Sequence, residues 1–252
     1  MISVIVPKLF ENTPLIGAFT TRHGGVSKEP FKSANFAFHV HDNQSNVIEN
    51  HRILSNTLGY SYSSLVHMKQ IHSDKVLIAD PTLTFDTPVE CDALITNHKQ
   101  LPLMVMSADC TPVLLYDESS MSIGVVHAGR AGALNKILIK AIEKMVLTYN
   151  ADLSTLKIVL GPAIHGCCYE INATIAEDVT SAGYSQALHE KNGSIYLDVN
   201  TILMEQLRSL NIIPEHIEII NRCTACESND FFSYRADAQH TGRIAGIIAL
   251  KE

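Results

Sequence analysis

Leu103-Met-Val-Met-Ser-Ala-Asp-Cys110 and Ile123-Gly-Val-Val-His127 are two apolar runs, each of which ends in a residue able to ligate a metal. Each run is short and bounded by polar residues, which predicts a buried strand. Between them lies one further apolar run, Pro112–Asp117, and a turn at Glu118–Met121. If the strands flanking this hairpin are neighbours, Cys110 and His127 emerge side by side on one sheet rim. After His127 the chain turns through Ala128-Gly129 into a helical pattern.

Outward from this centre, similar runs recur at Ile2–Val6, Ile16–Thr20, Val76–Ala79, Ala93–Thr96, Ile158–Leu160 and Ile217–Ile220. Helical periodicity predicts helices over Asn135–Tyr149, Ile175–Ala182, Val199–Leu210 and Thr241–Leu250, with Asp198 as N-cap of the third. Another helical pattern carries Ile53, Leu54 and Leu58 and is closed by Gly59. Strands outnumber helices and come in clusters. A mixed-sheet α/β (α+β) fold therefore fits better than strict alternation. No repeat or linker interrupts the chain, so residues 1–252 are expected to form one domain.

Composition narrows the function. The net charge of −7 and the lack of any Lys/Arg-rich run disfavour polynucleotide binding. No stretch approaches the ~20 apolar residues of a membrane span. The N-terminus lacks a basic n-region, and Ile2–Val6 reads as a strand and not as a signal peptide. A cytoplasmic protein without a membrane partner is the expectation. The six cysteines are then thiols or ligands and not a disulfide framework.

A third segment, Lys69-Gln-Ile-His72, places a histidine in a polar turn ahead of Val76–Ala79. His72, Cys110 and His127 together supply two imidazoles and one thiolate. Three protein ligands with an open fourth position is the pattern of catalytic zinc, and zinc lowers the pKa of bound water towards ~7. The same donors accept copper. Taken singly, Cys110 reads first as a buried small residue, whereas His127 reads equally as a packing residue or cap and His72 equally as a surface histidine. Their spacing matches no short zinc signature.

Further motifs run the length of the chain in this order: Thr20-Thr-Arg-His-Gly-Gly-Val-Ser27, Gln70-Ile-His-Ser73, Cys91-Asp-Ala-Leu-Ile95, Ala108-Asp-Cys110 and His127-Ala-Gly129. Gly161-Pro-Ala-Ile164 with Cys168-Tyr-Glu-Ile171 follows, then Phe231-Phe-Ser-Tyr-Arg235 with Thr241-Gly-Arg243. This order resembles the bacterial polyphenol oxidase, or laccase-domain, proteins of the YlmD and YfiH type, over nearly the whole chain.

The resemblance implies a layered α/β/β/α sandwich with mixed sheets, similar to the catalytic domain of a deamidating bacterial toxin. It implies one YfiH-like catalytic domain over 1–252, with Zn2+ on His72, Cys110 and His127. The implied activity is phosphorolysis of adenosine, inosine and S-methyl-5′-thioadenosine together with adenosine deamination, so that purine nucleoside and phosphate are the small-molecule partners.

The older oxidase label for this family fits poorly. A laccase needs four coppers fed by several His-x-His pairs, whereas this chain has one, His39-Val-His41. Cu2+ could occupy the same three ligands, and a copper-dependent polyphenol oxidase stays an alternative. So does an amide or peptidoglycan-precursor hydrolase that uses Cys110 and His127 as a nucleophile pair.

Arg22 is a candidate for holding phosphate or nucleoside through its planar fork, or else a bridge between loop carbonyls. Asn35 is a candidate for orienting substrate or closing a turn. Asp109 could carry a proton or cap a strand end, and Gln70 could line the pocket. One departure from the family stands out: it commonly reads His-Ala-Gly-Trp-Arg-Gly, whereas this chain reads His127-Ala-Gly-Arg-Ala-Gly132. Either Arg130 reaches the usual place from a shifted backbone or phosphate binds more weakly. Cys223-Thr-Ala-Cys226 is a single CxxC, and Cys167-Cys168 cannot be paired with it from sequence. Core or loop thiols are expected there, ahead of a second metal or a redox pair.

Overall fold

The computed structural model describes residues 1–252. Two six-stranded sheets lie face to face. The first runs, in spatial order, Val4–Ile5, Leu15–Thr20, Ile244–Leu250, Leu103–Ser107, Val66–Lys69 and Val89–Glu90. The second runs Ile217–Ile219, Leu156–Leu160, Thr111–Asp117, Ser122–Ala128, Ala93–Thr96 and Val76–Ile78. Both sheets are mixed, with parallel pairs such as Val66↔Leu103 and Ile158↔Ile217 among antiparallel ones.

Alternation of side chains builds the layers. In the second sheet Leu114, Tyr116, Val125 and Val159 face Phe19, Leu103, Val105 and Ile248 of the first. Their neighbours Val113, Leu115, Val126 and Ile158 face the opposite way, onto the helices Ile137–Tyr149 and Val199–Ser209. On the far face of the first sheet, Met104 and Ile247 pack against Leu54 of the helix Gln44–Leu58. The order helix, sheet, sheet, helix is the layered α/β/β/α sandwich that the motifs imply. A third, three-stranded sheet of Glu170–Ile171, Ser194–Leu197 and Leu188–Lys191 lies outside the pair.

One predicted element is corrected. Thr241–Leu250 is not a helix: Ile244–Leu250 is a strand at the centre of the first sheet. All seven of its residues are buried, so both faces are apolar and no period-two alternation marks it. A continuous apolar run of this kind cannot be told from a buried helix by periodicity. The other long helices lie close to expectation, including Val199–Ser209, where the Asp198 carboxylate accepts from Thr201 N at 3.3 Å.

The hairpin that positions the site is Thr111–Asp117 against Ser122–Ala128, with Pro112 opposite His127. Leu103–Ser107, just before it, belongs to the other sheet. Residues 108–110 therefore carry the chain from one sheet to the other, and Asp109 takes a positive φ of 92° to do so. Cys110 sits at this crossover. No helix is long and apolar enough to cross a membrane.

Candidate metal centre

His72, Cys110 and His127 converge. Their donor atoms all lie within 4.8 Å of one another. Cys110 Sγ is 3.9 Å from His72 Nε2, and the two imidazole rings stand edge to face with centroids 4.9 Å apart. His127 is buried, Cys110 half-buried and His72 exposed. The graded burial leaves one side of the cluster open.

Asp92 organises this arrangement. Its Oδ1 accepts from His127 Nδ1 at 2.9 Å and from His72 N at 3.0 Å. Its Oδ2 accepts from Ser73 N at 2.6 Å, Ser73 Oγ at 2.7 Å and Ile71 N at 3.3 Å. The carboxylate thus holds the 71–73 turn closed, with His72 in the left-handed region at φ 58°. It also fixes the Nδ1–H tautomer of His127, so that Nε2 is the nitrogen left for Cys110 and an ion. Burial pushes the Asp92 carboxyl up, but hydrogen bonds from His127 and Ser73 outweigh it and hold it at about 2.

Burial likewise raises the Cys110 thiol, yet the charge of His127 and hydrogen bonds from both imidazoles bring it down to about 6. Burial lowers His127, while the Cys110 and Asp92 charges raise it to about 9. The pocket thus favours a positive charge beside a thiolate. Two nitrogens and one thiolate around such a point are the donors of a three-ligand zinc site and also suit copper.

Gly129 completes the fit. A Cβ there would stand 2.8 Å from Cys110 Sγ and 3.4 Å from His72 Cδ2. The residue is glycine because sulfur passes directly over its backbone.

The open side faces a cavity of about 580 Å3. Its walls include Arg130, Arg235 and Arg243 beside Tyr169, Tyr234 and Ile164. Arg235 lies over the Tyr169 ring at 4.9 Å, and Arg243 over Tyr234 at 5.8 Å. Gln70 also lines the cavity, its amide exchanging two 2.8 Å hydrogen bonds with the Met106 backbone as a strand partner would. Asp109 lines it with both carboxylate oxygens engaged, by Thr224 Oγ1 and by Arg235 N, each at 2.7 Å.

Arg22 and Asn35 lie elsewhere. Arg22 bridges carbonyls, from Nε to Lys32 O at 2.9 Å and from a terminal nitrogen to Ser228 O at 2.6 Å, and it stacks on Phe232. This is the loop-bridging arrangement, and the residue is not part of the cavity wall. Asn35 is fully buried, and its Oδ1 accepts from Ala37 N at 3.0 Å and Arg243 N at 2.9 Å. It touches the site only by holding the backbone of Arg243. Sequence reasoning passed over Asp92, Arg235 and Arg243, although each falls within a quoted motif. Acids or arginines at the edge of a hydrophobic run carry no local sign of what they will face.

The fold and site together define an α/β sandwich with one three-ligand candidate metal centre at a sheet crossover. The chain belongs to the family described as multi-copper polyphenol oxidoreductase laccase, whose model matches residues 16–251. A purine nucleoside phosphorylase of Corynebacterium glutamicum is 39% identical over 240 residues, covering 95% of this chain and 96% of that protein. The purine nucleoside phosphorylase YlmD of Bacillus subtilis is 29% identical over 251 residues, with 96% and 90% covered. The YfiH structure from Bacillus licheniformis superposes with a TM-score of 0.93 at 28% identity, covering 100% of this chain and 97% of that one. YlmD from Geobacillus stearothermophilus gives 0.91 at 28% identity, with 98% and 94% covered.

Proposed function

We propose that this chain is a zinc-dependent purine nucleoside phosphorylase, with residues 1–252 as one catalytic unit. It takes adenosine, inosine and S-methyl-5′-thioadenosine with phosphate, and it also deaminates adenosine. The observation that carries this reading is the joining of the His72–Cys110–His127 cluster to a cavity with three arginines and two tyrosines on its wall. Its size falls in the range of small-molecule sites. Aromatic and aliphatic surface suits a purine and ribose, whereas guanidinium forks suit phosphate. The names of the relatives from Corynebacterium glutamicum and Bacillus subtilis support the same activity.

In phosphorolysis a phosphate oxygen forms a bond to C1′ as the C1′–N9 bond breaks, and the departing electron pair stays on the purine, which takes up a proton. Arg243, with one nitrogen on the Thr241 and Gly242 carbonyls, presents the rest of its fork to the cavity. Arg235 is positioned by Asp109 through its backbone, which makes Asp109 a positioning residue more than a proton carrier. Arg130, the first residue of the helix Arg130–Leu134, supplies a third cation from the position where the family commonly has tryptophan. A zinc ion on the three donors would supply a Lewis acid and activate water for deamination. His127 is oriented for that ion by Asp92, and His72 by the turn that Asp92 closes.

Incubation of the metal-replete protein with inosine tests the reading. Hypoxanthine release that requires phosphate, and that is lost in Cys110→Ala, is the expected result. Release independent of phosphate, or none, overturns it. The Cys110–His127–Asp92 alignment also supports the hydrolase alternative, in which Cys110 is the nucleophile. Iodoacetamide separates the two: a free nucleophile is alkylated at once, whereas a metal-bound thiolate is protected until a chelator is added.

A further inference from the structure

The four remaining surface and loop cysteines do not disperse as the single CxxC suggests. Cys167-Cys168 follows the strand Leu156–Leu160, and Cys223-Thr-Ala-Cys226 follows Ile217–Ile219. These strands are parallel neighbours, and a bridge from Ala163 to Cys223 carries the pairing into the loops. Cys226 Sγ is therefore 3.2 Å from Cys168 Sγ and 3.5 Å from Cys167 Sγ, and all four sulfurs lie within 4.8 Å of one another.

We propose that Cys167, Cys168, Cys223 and Cys226 form a second metal site, a tetrathiolate that takes Zn2+ in a structural role. Zn–S bonds of about 2.3 Å in a tetrahedron put the sulfurs about 3.8 Å apart, inside the span observed. Four protein ligands close the coordination sphere, as structural zinc requires and as the three-ligand cluster does not. Packing as small hydrophobes would not require the exposed Cys167 and Cys226 to meet the other two. All four are free thiols, and Cys226 Sγ is shared between two neighbours at 3.2 and 3.5 Å instead of being paired with one, as a common central ion requires.

The site has a place in the architecture. The first loop carries Ile164 and Tyr169 of the cavity wall, and the second carries Thr224, which donates to Asp109. A shared ion clasps these loops together where sheet pairing ends.

Metal analysis of protein purified under reducing conditions tests the proposal. Wild type is expected to hold two equivalents of zinc, Cys110→Ala one, and the double variant Cys223→Ser/Cys226→Ser one, with a lowered Tm. On wild type itself, iodoacetamide labelling mapped by mass spectrometry should leave these four cysteines protected until a chelator is added. That second measurement stands even if the double variant does not fold. A zinc content unchanged by the double substitution overturns the proposal. So does labelling of the four at one rate with and without chelator, or a disulfide among them in protein prepared without oxidant.

Discussion

The Asp92 carboxylate accepts a hydrogen bond from His127 Nδ1 at 2.9 Å and another from the His72 backbone N–H at 3.0 Å, so a single fully buried acid orients two of the three candidate ligands. Carboxylates behind ligating histidines fix their tautomer and raise their basicity, and their loss typically costs 10–100-fold in metal affinity. Asp92→Asn is expected to weaken zinc binding by about that factor in a chelator competition. Since it also leaves donors of the 71–73 turn poorly matched, the apo protein should lose stability as well. Unchanged competition would show that Asp92 serves the turn alone.

Gly129→Ala isolates the close approach of sulfur. The φ of −77° suits alanine, so backbone strain contributes nothing. The added methyl would meet Cys110 Sγ at 2.8 Å and must displace it. Loss of the metal held at this centre with little change in the circular dichroism spectrum is the expected result.

Arg243→Ala removes a guanidinium that lines the cavity while its neighbour Asn35 still holds the backbone. A hydrogen bond to a charged group is worth about 1.5–3 kcal/mol, so KM for phosphate should rise roughly 10- to 100-fold. KM for inosine should change less. Equal effects on both would remove Arg243 from the phosphate subsite.

Acid stability reports a different part of the molecule. His51 is buried against Phe36, Phe38 and Phe85, with His67 6.2 Å away and Tyr62 beside them. Burial lowers it from 6.5 to about 3, although its bond to the Phe36 carbonyl and nearby His67 also act on it. The folded state therefore keeps His51 neutral while the unfolded state protonates it below pH 6.5. Its contribution is complete above that pH and is lost as pH falls towards 3. Between pH 7 and pH 4.5 this amounts to about 2–3 kcal/mol. Urea unfolding across that range should show the loss, and His51→Gln should flatten it in part, since burial lowers His67 too. An equal slope in the variant would assign the acid sensitivity elsewhere.

The sequence carried the sheets well, for reasons that are local, whereas His72, Cys110 and His127 were singled out as a set by the family motifs, and the structure brings the three together. Apolar runs bounded by turn residues name strands such as Ser122–Ala128, and a residue able to ligate a metal can be seen at the end of a run. What it did not carry depends on pairing. Ile244–Leu250 reads as a helix until two flanking strands show that it is central. Asp92 looks like any strand-edge acid until the 71–73 turn and His127 arrive on either side of it. Cys167-Cys168 and Cys223-Thr-Ala-Cys226 meet only because Leu156–Leu160 and Ile217–Ile219 run parallel, a register that no window of residues encodes. Arg22 reads from residue type alone as either a phosphate fork or a bridge between loop carbonyls, and only its three-dimensional neighbours, the Lys32 and Ser228 carbonyls, distinguish the two.

One ion shared by His72, Cys110 and His127 underlies the proposed chemistry. Its most direct test is the metal content of wild type beside Cys110→Ala, measured on protein shown to be folded. The prediction is that Cys110→Ala loses one equivalent of metal and, with it, the phosphate-dependent release of hypoxanthine that wild type shows. Cys110→Ala that keeps its full metal content would contradict it.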